Sequence, residues 1–338
     1  LKTAYSFDDV LLVPKISNIE TRKEIDLSTS LGNSVNLRIP IVSSPMDTIT
    51  EKSMAIALSR AGGLGIIHRY NSIEDQSALI STSWKSLPGP GFGGAIGVSG
   101  NYLERARALI SAGVNVICID IAHGHHTMMR YALQTLRRTF GTKIHIMAGN
   151  VATLDGFNDL SDWGADSVRV GIGGGSICST RIQTGHGVPT LQSIIDCSKS
   201  DRDTSLIADG GIRNSGDIVK ALAAGADAVM LGSMLSGTNE APGEEIYVNG
   251  ERYKAYRGMA SKDAQIDWKG HFSSVEGVSS TVPAKGPVMC VIEDIERGVR
   301  SGLSYSGATS IRDLQSSAAF ILQTSAGSAE SSTHIGKI

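Results

Sequence analysis

The chain has 338 residues, 41% of them hydrophobic and 19% charged, with a formal net charge of -2. That is ample apolar material for a large core, and the near-neutral balance excludes the basic surface that a nucleic-acid or anionic-membrane partner requires. No apolar run is long enough to span a bilayer, the first five residues carry no signal-peptide pattern, and Cys118, Cys178, Cys197 and Cys290 show neither metal-ligand spacing nor disulfide density, so a reducing cytoplasm is the expected setting.

Short apolar runs alternate with helical patterns along most of the chain. The predicted strands are 40–43, 64–67, 94–97, 116–120, 144–148, 167–170, 205–208 and 228–231. Each is β-rich or continuously apolar, as in a parallel sheet buried on both faces. Amphipathic stretches lie between them. One is 101–112, with apolar Leu103, Ala106, Leu109 and Ile110 and a capping-box spacing of Asn101 and Glu104. Eight strands with intervening helices predict an α/β fold, a single (β/α)8 barrel rather than a doubly wound sheet. The stretch 81–93, with Pro88-Gly89-Pro90-Gly91, reads as a linker. The stretch 247–287 is a long excursion after the eighth strand, rich in Gly, Ser and Lys. On the catalytic side of a barrel, such an excursion is expected to be an active-site flap. The tail from residue 325 onward is expected to be mobile.

In such a barrel the chemistry lies at the C-terminal ends of the strands. Ser44-Pro45-Met46-Asp47 follows the first predicted strand, Asp120 ends the fourth and Asn150 follows the fifth. Asp209-Gly210-Gly211 follows the seventh and Gly232-Ser233 the eighth. After the sixth comes the run from Arg169 to Arg181, with Gly171, Gly173, Gly174, Gly175, Ser176 and Cys178. Glycines let backbone N–H groups turn toward a phosphate, and a thiol just beyond such a cradle faces whatever the phosphate carries. Alone, a glycine run is usually a loop and a cysteine a small core residue. Their place among polar residues after six strands points instead to a nucleophile.

These residues resemble the IMP dehydrogenase / GMP reductase family over nearly the whole chain. The matching segments occur in order: Phe7-Asp8-Asp9-Val10-Leu11-Leu12, Ser44-Pro45-Met46-Asp47-Thr48, Asp120-Ile121-Ala122-His123-Gly124-His125, Ala148-Gly149-Asn150-Val151, the Cys178 loop, Ala208-Asp209-Gly210-Gly211-Ile212-Arg213, Met230-Leu231-Gly232-Ser233-Met234 and Tyr256-Arg257-Gly258-Met259. The resemblance implies a (β/α)8 barrel, a homotetramer, a purine nucleotide substrate (IMP or GMP) and NAD or NADP as cofactor. Where IMP dehydrogenases commonly insert CBS domains, this chain has only the short 81–93 stretch.

The resemblance also assigns roles. Cys178 would form a covalent adduct at C2 of the purine, and Thr180 and Glu276 would form a proton relay. Ser176, Gly210, Gly211, Gly232, Ser233 and Tyr256 would hold the 5′-phosphate, and Asp209 the ribose hydroxyls. Ser44 and Met46 would flank the nucleotide, and Gly258, Met259 and Glu276 would line the base. Asp120, Asn150 and Arg169 would lie near the nicotinamide. A K+ ion on the backbone carbonyls of Gly173, Gly175 and Cys178 is implied for the dehydrogenase branch, with a tail segment like Gly327–Ser331 supplied by a neighbouring subunit.

The branch is read from several segments. Ser44-Pro45-Met46-Asp47, Glu240-Ala241-Pro242-Gly243 and Arg300-Ser301-Gly302-Leu303 lean toward IMP dehydrogenase, which is the expected activity. A short flap, Arg181-Ile182-Gln183-Thr184-Gly185 and the lack of CBS domains lean toward GMP reductase. Where dehydrogenases carry an Arg-Tyr pair whose arginine is the base toward water, this chain has Gly270-His271. His271 is therefore a candidate base, since imidazole titrates near neutrality. A catalytically silent nucleotide-binding paralogue is the third reading.

Overall fold

The computed structural model describes residues 1–32, 35–80, 89 and 91–331. Eight parallel strands close on one another: Ile41–Ser43, Leu64–Ile67, Phe92–Ile96, Val116–Asp120, His145–Val151, Ser167–Val170, Ser205–Asp209 and Ala228–Leu231. Closure is made by the eighth strand against the first, with Val229 opposite Ile41 and Leu231 opposite Ser43. The period of two divides their side chains. Val42, Leu64, Ile66, Val116, Cys118, Met147, Ile207 and Met230 fill the barrel interior. Ile41, Ile67, Ile117, Ile119, Ile146, Val168 and Val229 face the surrounding helices. Both sets are apolar, which is why the strands read as unbroken hydrophobic runs.

The helices present single apolar stripes to this sheet. Thr127–Phe140 buries Met129, Ala132, Leu133 and Leu136 at helical spacing. Each such large side chain contributes about 1.5–3 kcal/mol of burial. Ser72, Thr153, Asn214 and Ser310 cap their helices through side-chain oxygens. Asn101 does not: helix Tyr102–Ala112 begins after it without a side-chain cap bond. At Asn101 the backbone has left the extended conformation (φ -84°, ψ 31°), so the predicted capping box is not formed.

The N-terminal end of the barrel is closed by a hairpin of Thr29–Ser30 and Asn36–Leu37. Its Leu31, Val35 and Leu37 join the interior cluster. Strand Val10–Leu12 pairs antiparallel with Phe320–Leu322 outside the barrel.

Several predicted boundaries move. The third strand starts at Phe92, so the end of the expected linker is sheet; residues 81–88 and 90 lie outside the described residues. The fifth strand runs to Val151, so Asn150 lies within it, at a register shift between Gly149 and Val151. The 247–287 excursion is largely ordered secondary structure. Strands Glu245–Val248, Glu251–Arg257 and Ser279–Pro283 form an antiparallel sheet, and helix Lys262–Lys269 sits between the last two in sequence. Its sequence is polar because this sheet is largely exposed. The tail forms strand Phe320–Leu322 and helix Ser325–Glu330; residues 332–338 lie outside the described residues.

Candidate active site

A cavity of about 360 Å³ opens at the C-terminal ends of the barrel strands. Every residue nominated from the sequence lines it except His271. Its floor is an ion network. Arg169, on the sixth strand, reaches Asp120 at 2.7 Å and Asp209 at 2.9 Å. Asn150 Nδ2 also donates to Asp209 Oδ2 at 2.8 Å and to the Gly171 carbonyl at 2.9 Å. Arg169 is buried. Burial alone would weaken its charge, but Cys118, Asp209 and Asp120 outweigh it and hold the guanidinium well above its ordinary value. Burying one cation with two carboxylates fixes the side-chain positions at the cost of desolvating all three. Asp120, Asn150 and Asp209 are thus one structural unit, on three different strands.

Above this floor the sixth-strand loop needs its glycines. Gly171 has φ +146°, and a Cβ there would fall 1.9 Å from the Asp209 carbonyl oxygen. Gly210 has φ +96°, with a Cβ position 3.1 Å from Gly175 N. The loops after strands six and seven therefore touch backbone to backbone. At the far wall, Ser176 Oγ and Tyr256 OH lie 3.2 Å apart. Burial raises the Tyr256 phenol, keeping it a neutral donor. Ser44, Met46 and Tyr256 converge on Gly232, where a Cβ would lie 3.3–3.5 Å from each. Hydroxyls and glycine backbone around one end of a cavity suit a phosphate.

Cys178 starts a chain of three hydrogen-bonded groups. Its thiol donates to Thr180 Oγ1 at 3.2 Å, and Thr180 Oγ1 donates to Glu276 Oε2 at 2.8 Å. The chain is a path for the thiol proton to reach the carboxylate, which leaves the thiolate nucleophile. The segment after the eighth strand supplies Glu276 and is stitched to the loop. Cys178 and Gly277 form an antiparallel bridge, Ser179 N donates to the Glu276 carbonyl at 2.9 Å, and Val278 N to the Ile177 carbonyl at 3.0 Å. Ser274 Oγ donates to Glu276 Oε1 at 3.3 Å.

His271 is not brought to this group. It is exposed just past helix Lys262–Lys269, with Nδ1 3.1 Å from the Lys269 carbonyl, and it does not line the cavity. Gly270 ends that helix at φ +73°, turning the chain away. Among the described residues, no group of three His, Cys, Asp or Glu could hold a metal ion. In the loop assigned to K+, the Gly175 carbonyl already accepts the Cys178 N–H at 3.1 Å. Sequence reading missed Arg69 and Tyr70, which line the cavity beyond the second strand. The rule applied to six strand ends would have found them at this one.

A hydrogen-bonded Cys–Thr–Glu chain at the mouth of a (β/α)8 barrel is a geometry suited to covalent catalysis. The family model for the IMP dehydrogenase / GMP reductase domain matches residues 4–334, and the chain belongs to that family of oxidoreductases, which use NAD or NADPH. It is 35% identical to the inosine-5′-monophosphate dehydrogenase of Nitrosopumilus maritimus, covering 98% of each chain. It is 32% identical to the GMP reductase of Leishmania major, over 99% of this chain and 97% of that one. The crystal structure of Trypanosoma brucei GMP reductase in complex with guanosine 5′-monophosphate superposes with a TM-score of 0.93 at 31% identity, covering 100% of this chain and 99% of that one.

Proposed function

We propose that the protein is a purine nucleotide oxidoreductase that works at C2 through a covalent adduct on Cys178. The observation that carries this reading is the unbroken path from the Cys178 thiol through Thr180 to Glu276. The thiol proton passes to Glu276 and the thiolate attacks C2. Ser176, Tyr256 and the Gly210–Gly211 and Gly232–Ser233 backbone hold the 5′-phosphate. The three protein donors at Asp209 all meet Oδ2, so Oδ1 is the acceptor for the ribose. Asp120 and Asn150 orient the nicotinamide cofactor, which supplies or takes up the hydride when bound. Neighbouring subunits of a homotetramer, a cytoplasmic setting and a K+ ion in the dehydrogenase direction belong to the same reading.

Of the two directions, reduction of GMP with NADPH to IMP and ammonia is favoured. Tyr256 and Glu276 are the only titratable residues that the 247–287 segment gives to the cavity, and Tyr256 is engaged with Ser176 at the phosphate end. One relay can protonate a leaving amine after taking the thiol proton. Hydrolysis of the adduct, the step that sets a dehydrogenase apart, would need a further base for water, and His271 stands outside. The IMP dehydrogenase direction, oxidation of IMP with NAD to XMP, keeps the support of its sequence segments and of relatives such as the Cryptosporidium parvum dehydrogenase at 38% identity. In it, Thr180–Glu276 would serve water as well and turnover would be slow.

The deciding experiment incubates purified protein with GMP plus NADPH and, separately, IMP plus NAD, following absorbance of the reduced cofactor. Turnover with GMP alone is expected. Turnover with IMP alone reverses the direction. Tight nucleotide binding with neither turnover nor labelling of Cys178 would make the protein a silent paralogue.

A further inference from the structure

Arg69 and Tyr70 follow the second barrel strand and line the cavity, yet none of the roles above uses them. Arg69 lies over the Tyr70 ring, with its guanidinium carbon 5.4 Å from the centroid. Its Nε is buried and has no hydrogen-bond partner. Its nearest carboxylate is Asp120 Oδ2 at 3.9 Å, beyond hydrogen-bond reach, while Asp120 Oδ1 is taken by Arg169. A buried donor without an acceptor is costly and calls for an explanation. A ligand that brings its own oxygens supplies one.

The surroundings are built to hold this wall. The Tyr70 ring is stacked on Trp268, centroids 5.7 Å apart and planes 13° off parallel. Trp268 comes from helix Lys262–Lys269, which Arg257 ties to the barrel by bonding Asp267 at 2.5 Å and Asp47 at 2.6 Å. Arg105 lies 5.9 Å from the Trp268 centroid, itself fixed by Asn71 and Gln76. Burial and the charge of Arg69 both weaken the Arg105 guanidinium. Two cations thus brace one aromatic stack beside the cavity, and a bound anion relieves their repulsion.

We propose that Arg69 binds the pyrophosphate of the nicotinamide dinucleotide, with Tyr70 and Trp268 as the wall against which the cofactor lies. The proposal rests on the reading given under Proposed function. A guanidinium matches phosphate oxygens two at a time. The neutral carboxamide and the ribose hydroxyls are served by Asn150 and Asp120 without it.

Equilibrium binding of NADPH, NAD and ADP-ribose to the Cys178→Ala protein, with GMP or IMP present, tests this by calorimetry and by energy transfer from tryptophan to reduced nicotinamide. Arg69→Met should weaken all three probes ten- to a hundredfold and leave GMP and IMP affinity within twofold; Arg69→Lys should restore part of the loss. Trp268→Phe should remove most of the energy transfer. Dinucleotide affinity within twofold of the Arg69 parent overturns the proposal and leaves the functional reading standing. So does weakening of NADPH without ADP-ribose, or equal loss of nucleotide affinity, which would mark a structural role. Failure of the Arg69 parent to bind either cofactor overturns the functional reading and the proposal together.

Discussion

The two ends of this barrel solve the same packing problem with opposite chemistry. At the N-terminal end, the interior is sealed by Leu31, Val35 and Leu37 from a short hairpin. At the C-terminal end, one strand further along the same interior, Arg169 stands between Asp120 and Asp209. The apolar seal depends on volume, and any side chains of the right size would serve. The ionic end depends on identity: remove the buried Arg169 and two half-buried carboxylates are left facing each other. The first end is held by apolar packing, and the second holds the polar side chains that line the cavity.

Variants at each end sharpen or break that contrast. The largest effect is expected from Cys178→Ala, which should abolish turnover and covalent labelling while nucleotide affinity and the melting temperature stay close to wild type; retained turnover would end the adduct mechanism. Glu276→Gln keeps shape and hydrogen bonding but cannot take the thiol proton. Turnover should fall about 10²–10⁴-fold with nucleotide binding preserved, and a loss below tenfold would remove Glu276 from the relay. Arg169→Met should cost about 3–5 kcal/mol in urea unfolding by exposing Asp120 and Asp209 to each other. At the sealed end, Leu37→Ala should cost about 2–5 kcal/mol with activity per folded molecule unchanged. If activity fell in proportion, the two ends would not be separable.

A further effect is expected in the pH dependence of stability. His145 begins the fifth strand, and burial pushes it down to about 4. The unfolded chain takes up that proton near pH 6.5, so His145 contributes stability above that value, which is lost as pH falls from 6.5 toward 4, about 3 kcal/mol in all. Asp227, before the eighth strand, acts in the opposite sense. Burial pushes it up to about 6, so its contribution is full below the unfolded value near 3.8 and is lost as pH rises through 6. His145→Asn should therefore flatten the drop in melting temperature between pH 7 and pH 5. An unchanged slope would show that His145 does not govern it.

The same contrast explains what could be read in advance. Cys178, Asp209 and Asn150 could be placed at one cavity because they follow predicted strands, whereas Thr180 and Glu276 were named through the family resemblance; all five line it. The eight strands were legible because burial on two faces leaves continuous apolar runs. The sealing hairpin was not: its strands Thr29–Ser30 and Asn36–Leu37 are two residues each, too short for any period to show. The pairing of Val10–Leu12 with Phe320–Leu322 joins segments at opposite ends of the chain, and no local pattern announces it. His271 was misplaced because position in sequence said nothing about the left-handed turn at Gly270, which carries the imidazole out to solvent.

That pairing of Val10–Leu12 with Phe320–Leu322 also bears on how the molecule is made. On the ribosome, residues 10–12 emerge before 320–322 and must wait for the whole barrel between them before their partner strand appears. Until then they are an unpaired edge beside an unclosed barrel, since the first barrel strand likewise awaits the eighth. Loop closure over such separations is slow, and exposed strand edges invite association with other chains. Synthesis thus passes through a long interval in which Val10–Leu12 is held open for Phe320–Leu322.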